Sequence, residues 1–352
     1  MHTETMTPRE RWLAVLRREP VDRLPMDYWG TDEATQRVMA HLGVEDYSAM
    51  CRALHIDQLI TVAPTYVGPP LPADLDMYGR RFRTVRYATG EYRECIHNPL
   101  AGYASVEEIE RNYIWPTADW YDYSVIPLQV EGMEDFPVRA GGSEPFLLYC
   151  QLRGLEQAFV DLAMAPDIVH ACLDHLFEFC YQNTLRIYEA IPYRVNVSYV
   201  AEDLGSQTSL LFSPKQIHTF LIPRMKRMME LVHSGGAHVF FHSDGAVRRI
   251  IPDMIEAGID VLNPIQWRCK GMDREGLQRD FGDEIIFHGG VDNQQTLPFG
   301  SAQDVRDEVA ANIEILGAGG GYIIAPCHNI QANTPPENVV AMYETGRARG
   351  WM

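Results

Sequence analysis

Residues 238–264, HVFFHSDGAVRRIIPDMIEAGIDVLNP, hold one complete turn of a repeating architecture. The run 238–242 is short, apolar and aromatic, as a buried strand is. Gly245 then permits a tight turn, and 247–257 carries apolar residues at helical spacing, with Pro252 early enough for a helix to tolerate it. A second short apolar run follows at 261–264. Strand, helix and strand in this order are the alternation of an α/β fold.

The same alternation extends in both directions. Further strands are expected at 25–29, 58–63, 138–141, 194–200, 285–288 and 322–325, and helices at 34–41, 155–164, 166–190, 214–233, 274–281, 302–316 and 336–347. The first helix announces itself with Thr7 as N-cap, Pro8 at the first helical position and Glu10 three residues after the cap, ahead of Trp12, Leu13 and Leu16. It ends near Glu19-Pro20. Eight strands, each followed by a helix, predict a closed (β/α)8 TIM barrel rather than an open doubly wound sheet, with 1–352 forming one domain. Residues 76–99 read instead as two alternating strands around Thr89-Gly90, a hairpin inserted above the barrel strands. The stretch 112–135, rich in Trp, Tyr, Pro and Asp, has no period and reads as a long ordered loop.

Composition excludes several function classes. Of 352 residues 46% are hydrophobic, enough to bury a large core. Against 30 Lys and Arg stand 48 Asp and Glu, a formal charge of −18 that repels nucleic-acid phosphates and anionic membranes. No apolar run approaches the roughly 18 residues a spanning helix needs, and no leader pattern opens the sequence, so a cytoplasmic protein is expected. The seven cysteines are odd in number and scattered without a CxxC pair, which argues against a disulfide framework and for small buried thiols.

A barrel gathers chemistry at the C-terminal ends of its strands. There His242 and Asp244, two residues apart on an extended backbone, share a face and form half of a metal site, with structural hydrogen bonding as the equal alternative. Residues 325–330, APCHNI, bring a thiol, an imidazole and an amide to the same rim. His328 is the stronger ligand candidate, because three converging side chains leave an open coordination position; Cys327 is either the alternative ligand or packing beneath the loop. After the fourth strand, Glu202 and Asp203 are able to polarise a substrate, bind metal or act as acid and base, or else cap the helix that begins near Ser213-Pro214. After the seventh, His288-Gly-Gly-Val-Asp292 joins a glycine turn to polar groups, for close approach to a ligand or for turn geometry alone. Tyr199, Gln207, Gln266, Asp292 and Asn329 are the candidate substrate contacts.

The segments HSDGAVRRIIPDMIEAGIDVLNPIQ, FHGGVDNQQTLPFG, GGGYIIAPCHNIQANTPPENVVAMYE and TPRERWLAVLRREPVDRLP resemble the uroporphyrinogen decarboxylase family, from first helix to last. That superfamily also holds cobalamin-dependent methyltransferases, among them zinc enzymes that move methyl groups between a corrinoid and a thiol, and relatives that demethylate methoxylated compounds. Departures from the pattern separate the branches. The arginine-rich stretch that the decarboxylases carry after the first strand is replaced here by Met26-Asp27-Tyr28-Trp29-Gly30-Thr31-Asp32. Their aspartate after the second strand has no counterpart in Thr61-Val62-Ala63-Pro64-Thr65-Tyr66. A multiply anionic tetrapyrrole would meet too little positive charge. The thiol methyltransferases carry His-x-Cys after strand five and a further Cys after strand eight. This chain matches the first as His242, puts Asp244 at the second and His328 at the third, with Cys327 one residue earlier. The resemblance therefore implies zinc on His242, Asp244 and His328, a corrinoid supplied by a partner protein, a small methylated substrate, and Glu202, Asp203 and His328 near the reacting groups. A His, Asp, His set is harder than a thiolate-rich one and favours polarising a methoxy oxygen, hence O-demethylation. Two other functions stay open: a metal-free lyase or decarboxylase using the same acids and His328, and a non-catalytic barrel that docks a corrinoid protein.

Overall fold

The computed structural model describes residues 3–87 and 90–351. Seven parallel strands follow one another in chain order: β1 (Ile60–Thr61), β2 (Val138–Ser143), β3 (Val197–Ala201), β4 (His238–His242), β5 (Val261–Asn263), β6 (Ile286–Val291) and β7 (Tyr322–Pro326). The eighth stave is the extended stretch 25–29. Met26 bridges Ile324 in the parallel sense, and the Asp27 N–H donates to the Ile324 carbonyl while the Ile324 N–H donates to that of Pro25, both at 2.9 Å. On its other edge the Asp57 N–H donates to the Met26 carbonyl at 2.8 Å. Together these close the (β/α)8 barrel. The stave stops short of a regular strand because Pro25 has no N–H to give and the Met26 N–H goes to the Asp57 side chain.

From β3 to β7 both faces of the strands are buried almost throughout, which is why most of them read as apolar runs. In β4, Val239 and Phe241 face the surrounding helices, while Phe240 points into the barrel with Val197, Val261, Ile286 and Ile323. His242 shares the inward parity of Phe240, one layer nearer the C-terminal mouth.

The opposite end is plugged by the first helix, α1 (Pro8–Leu16), whose Thr7 and Glu10 form the expected reciprocal cap. Trp12, Val15 and Leu16 pack under the interior residues, and the Trp12 indole N–H donates to the Asp57 carbonyl. Asp57 also receives the buried guanidinium groups of Arg11 and Arg23 at 2.5 and 2.8 Å. The floor is thus apolar in its middle and ion-paired at its edge.

Helices at Leu155–Met164, Pro166–Ala190, Arg274–Phe281 and Ala302–Leu316 match the sequence expectation, as α2 (Asp32–Leu42) does within two residues. The helix expected over 214–233 contains a π-helical turn at Ile217–Leu221, just ahead of Pro223, whose missing N–H and ring disfavour a regular α-helical ladder there. The hairpin pairs Arg81–Tyr87 with Gly90–His97 in a sheet separate from the barrel; the expected turn residue Thr89 lies outside the described residues. The stretch 112–135 is more structured than its sequence suggests. Tyr121–Asp122 pairs with Thr65–Tyr66, and Ile126–Val130 forms a short helix with Pro127 in its first turn. Among the described residues no helix is long and apolar enough to cross a membrane.

Candidate metal centre at the barrel mouth

His242 ends β4, and the turn after it is tight. Gly245 has φ +89°, and a Cβ there would lie 2.5 Å from the Ser206 carbonyl oxygen, so only glycine lets this loop pass so close to the neighbouring one. The turn brings Asp244 back over the mouth. From the other side, the loop after β7 delivers His328. One ligand atom from each of His242, Asp244 and His328 lies within 4.8 Å of the other two. No hydrogen bond joins any two of them: His328 Nε2 stands 4.0 Å from Asp244 Oδ2, and His242 Nε2 stands 3.8 Å from Asp203 Oδ1. Lone pairs that converge without satisfying one another suit a shared cation. Ligand atoms about 2.0–2.1 Å from a tetrahedral zinc sit roughly 3.4 Å apart.

The buried ring of His242 is oriented from behind. Its Nδ1–H donates to Asn263 Oδ1 at 2.5 Å, the Asn263 amide donates to His288 Nδ1 at 2.7 Å, and His288 Nε2–H donates to Asp27 Oδ2 at 3.0 Å. Asp27 only accepts, so His288 Nε2 carries the proton, its Nδ1 accepts from the Asn263 NH2, and Asn263 Oδ1 is left to accept from His242. The outcome is a His242 tautomer whose Nε2 lone pair points to the mouth. Burial, the largest influence, lowers the His242 pKa despite the Asn263 contact and the nearby acids, which keeps the ring neutral as a ligand must be. Asp244 is held as well: Gln266 donates to its Oδ1 at 2.8 Å, and its pKa is raised chiefly by burial.

The other expected residues divide by what they touch. Tyr199 stands over His242 with ring centres 5.4 Å apart, and Trp29 stacks on the same imidazole at 5.9 Å. Asp203 accepts the Asp244 N–H at 3.2 Å and so braces the turn. Glu202 is buried and accepts the Phe146 N–H at 2.8 Å, capping α3 (Pro145–Arg153) from a distant part of the chain; Ser213 caps its own helix. Asp292 accepts the N–H groups of Gln294, Gln295 and Thr296 and pairs with Arg268 at 2.6 Å. Gln207 accepts the Cys269 thiol proton at 3.4 Å, and Asn329 lines the cavity beside the site. Cys327 is buried with its thiol donating to the Ile265 carbonyl at 3.1 Å, outside the converging set, and burial pushes its pKa well up.

Glu144 escaped the sequence reading. It follows β2 at a glycine turn where a Cβ on Gly142 would collide with the Tyr199 carbonyl. Burial first, then the charges of Asp203 and Asp244, raise its carboxyl to about 7. The signal was present in Gly141-Gly142-Ser143-Glu144-Pro145, an acid between a glycine turn and a helix start.

Beside the three ligand candidates opens a cavity of about 870 Å³, lined by Trp29, Tyr28, Tyr47, Tyr199, Arg139 and Asn329 among others.

The family model for uroporphyrinogen decarboxylase (URO-D) matches residues 85–349. The chain belongs to the uroporphyrinogen decarboxylase family. Within that family, a uroporphyrinogen decarboxylase of Anaeromyxobacter dehalogenans is 25% identical, over 97% of this chain and 99% of the relative. A methylcobamide:CoM methyltransferase of Methanosarcina barkeri is 23% identical, over 96% of both chains. A solved methyltransferase from Methanosarcina mazei superposes with a TM-score of 0.68 at 20% identity, covering 98% of this chain and 99% of that one, which supports the fold. The family thus contributes two chemistries, and the residues at the mouth must choose between them.

Proposed function

We propose that this member of the family is a corrinoid-dependent methyltransferase that holds zinc on His242, Asp244 and His328 and removes the methyl group of a methoxy compound. The observation that carries this is the convergence of three donor atoms within 4.8 Å, none bonded to another. The similarity to a methylcobamide:CoM methyltransferase supports it. So does the shortage of cations: among the described residues Arg139 is the one basic residue lining the large cavity, too few for a tetrapyrrole with several carboxylates.

Zinc, when bound, would supply a Lewis acid to the substrate oxygen. The protein's own groups do the rest. His242 offers Nε2 because Asn263 occupies Nδ1, and Gln266 fixes Asp244. Trp29 and Tyr199 pack against the His242 ring and wall one side of the site. As the methyl group passes to the corrinoid of a partner protein, the oxygen keeps the electron pair of the broken bond and needs a proton. Glu144, with a pKa near neutrality, is suited to donate it.

Metal analysis of the purified protein tests this directly. Stoichiometric zinc is expected in wild type, none in His242→Ala or Asp244→Ala, and binding weakened by about 10–100-fold in Asn263→Ala. Methylation of a cobalt(I) corrinoid protein, followed by absorbance, should depend on the same residues. Full turnover without zinc would instead select an acid–base lyase built on Glu144 and His328.

A further inference from the structure

Arg139 is out of keeping with the rest of this acidic chain. The buried arginines 11, 23, 153 and 224 each meet a carboxylate. Arg139, rising from β2 beside its register partner Thr61, meets only the Thr61 hydroxyl, at 3.1 Å from Nη2 and 3.3 Å from Nε. A guanidinium has five N–H donors, so most of its donor capacity has no protein acceptor among the described residues. It opens into the large cavity.

The acids of that cavity do not answer it. Asp27 is already occupied by the Tyr28 N–H, the Trp29 indole and His288. Asp32 sits at the exposed rim, in the first turn of α2. Trp29, Tyr28, Tyr47, Tyr199, Leu59 and Val62 give the remaining wall its aromatic and aliphatic faces, and Thr35, Thr61 and Asn329 give it polar ones. Of these, Trp29 and Tyr199 also touch the His242 ring, so the cavity adjoins the candidate metal centre.

We propose that Arg139 is the anchor for a single carboxylate on a planar, apolar substrate, which lies between the aromatic walls with its far end toward His242. The selectivity arises because a neutral analogue would leave the guanidinium desolvated and unpaired, whereas a carboxylate accepts a two-pronged, charge-assisted pair. One arginine suits one carboxylate, and further anionic groups would meet no partner. The orientation toward His242 rests on the function proposed above; the anion anchor does not.

Calorimetric titration with benzoate and with its neutral isostere benzamide separates the two. Wild type should bind benzoate about tenfold or more tighter than benzamide. Arg139→Gln should lose that preference while still binding both weakly through the aromatic walls, and Arg139→Lys should keep part of it, with unchanged melting temperatures confirming folded protein. His242→Ala should keep the full preference. Equal uptake of the two probes by wild type, or uptake of neither, overturns the proposal. So does a preference that survives Arg139→Gln and disappears in His242→Ala, since the carboxylate would then be going to the metal; that result would leave the methyltransferase reading standing.

Discussion

The two ends of the barrel handle charge in opposite ways. At the floor, Arg11, Arg23 and Asp57 are almost wholly buried, and each is matched at hydrogen-bond distance by an opposite charge. At the mouth, His242, Asp244, His328, Asp203 and Glu144 stand close together without pairing, and three of them have pKa values moved mainly by burial. The floor spends its charges on holding staves together. The mouth keeps its charges available, at a cost in stability, which is the division expected of a barrel whose active groups sit at one end.

The contrast is most easily broken at the floor. Asp57→Ala leaves two buried guanidinium groups unpaired and should cost about 3–5 kcal/mol, read from denaturant unfolding. Asp244→Ala should leave the stability of the metal-free protein unchanged or raise it, because it removes one member of a crowded acidic set. If Asp57→Ala is the milder of the two, the contrast is wrong.

A smaller effect sharpens the mouth's side. The folded protein holds the Glu144 proton up to about pH 7, whereas an unfolded chain gives it up near 4.5. Between those values the folded state binds more protons, so its stabilising contribution is complete below pH 4.5 and is lost as pH rises through 7. In metal-free protein this group's share of the loss should be of order 2–3 kcal/mol, and Glu144→Gln should remove that share while the buried carboxyls of Glu202 and Asp244, also raised, keep theirs. The same variant should remove a limb of the transfer rate that falls above about pH 7. A decline as steep in Glu144→Gln as in wild type would show that Glu144 ionises freely.

The smallest effect concerns Cys327. Serine is able to keep the bond to the Ile265 carbonyl, so Cys327→Ser should change stability by no more than about 1 kcal/mol and leave zinc content untouched. Zinc loss equal to that of His328→Ala would make the thiol the true ligand.

Much of this was legible in the sequence. Strands 238–242 and 322–326 are short apolar runs buried almost throughout, and such runs announce themselves, whereas 138–143, with an arginine and two glycines, is legible only from the alternation around it. The Thr7 to Glu10 cap did too, because capping depends on residues three apart. His242 and Asp244 could be paired from spacing alone, and the barrel then brings His328 to them. What spacing does not carry is the long-range hydrogen bond. Glu202 looked like a rim acid free for chemistry, and nothing local reveals that it caps a helix 56 residues earlier in the chain. Glu144 was passed over, because its raised pKa comes from burial first and then from Asp203 and Asp244, which lie far along the chain. Asn263 and His288 were likewise invisible as a linked pair, since their contact exists only across adjacent staves.

The plug that α1 makes beneath the barrel has a consequence for traffic. With Trp12, Val15 and Leu16 sealing the lower end, nothing passes through the molecule, and everything that reaches His242 must enter and leave by the same doorway. If a corrinoid protein covers that doorway during methyl transfer, the substrate must already be inside when it arrives, and the demethylated product must wait until it withdraws. Visits would then alternate in a fixed order, and an excess of the partner protein should slow turnover rather than speed it.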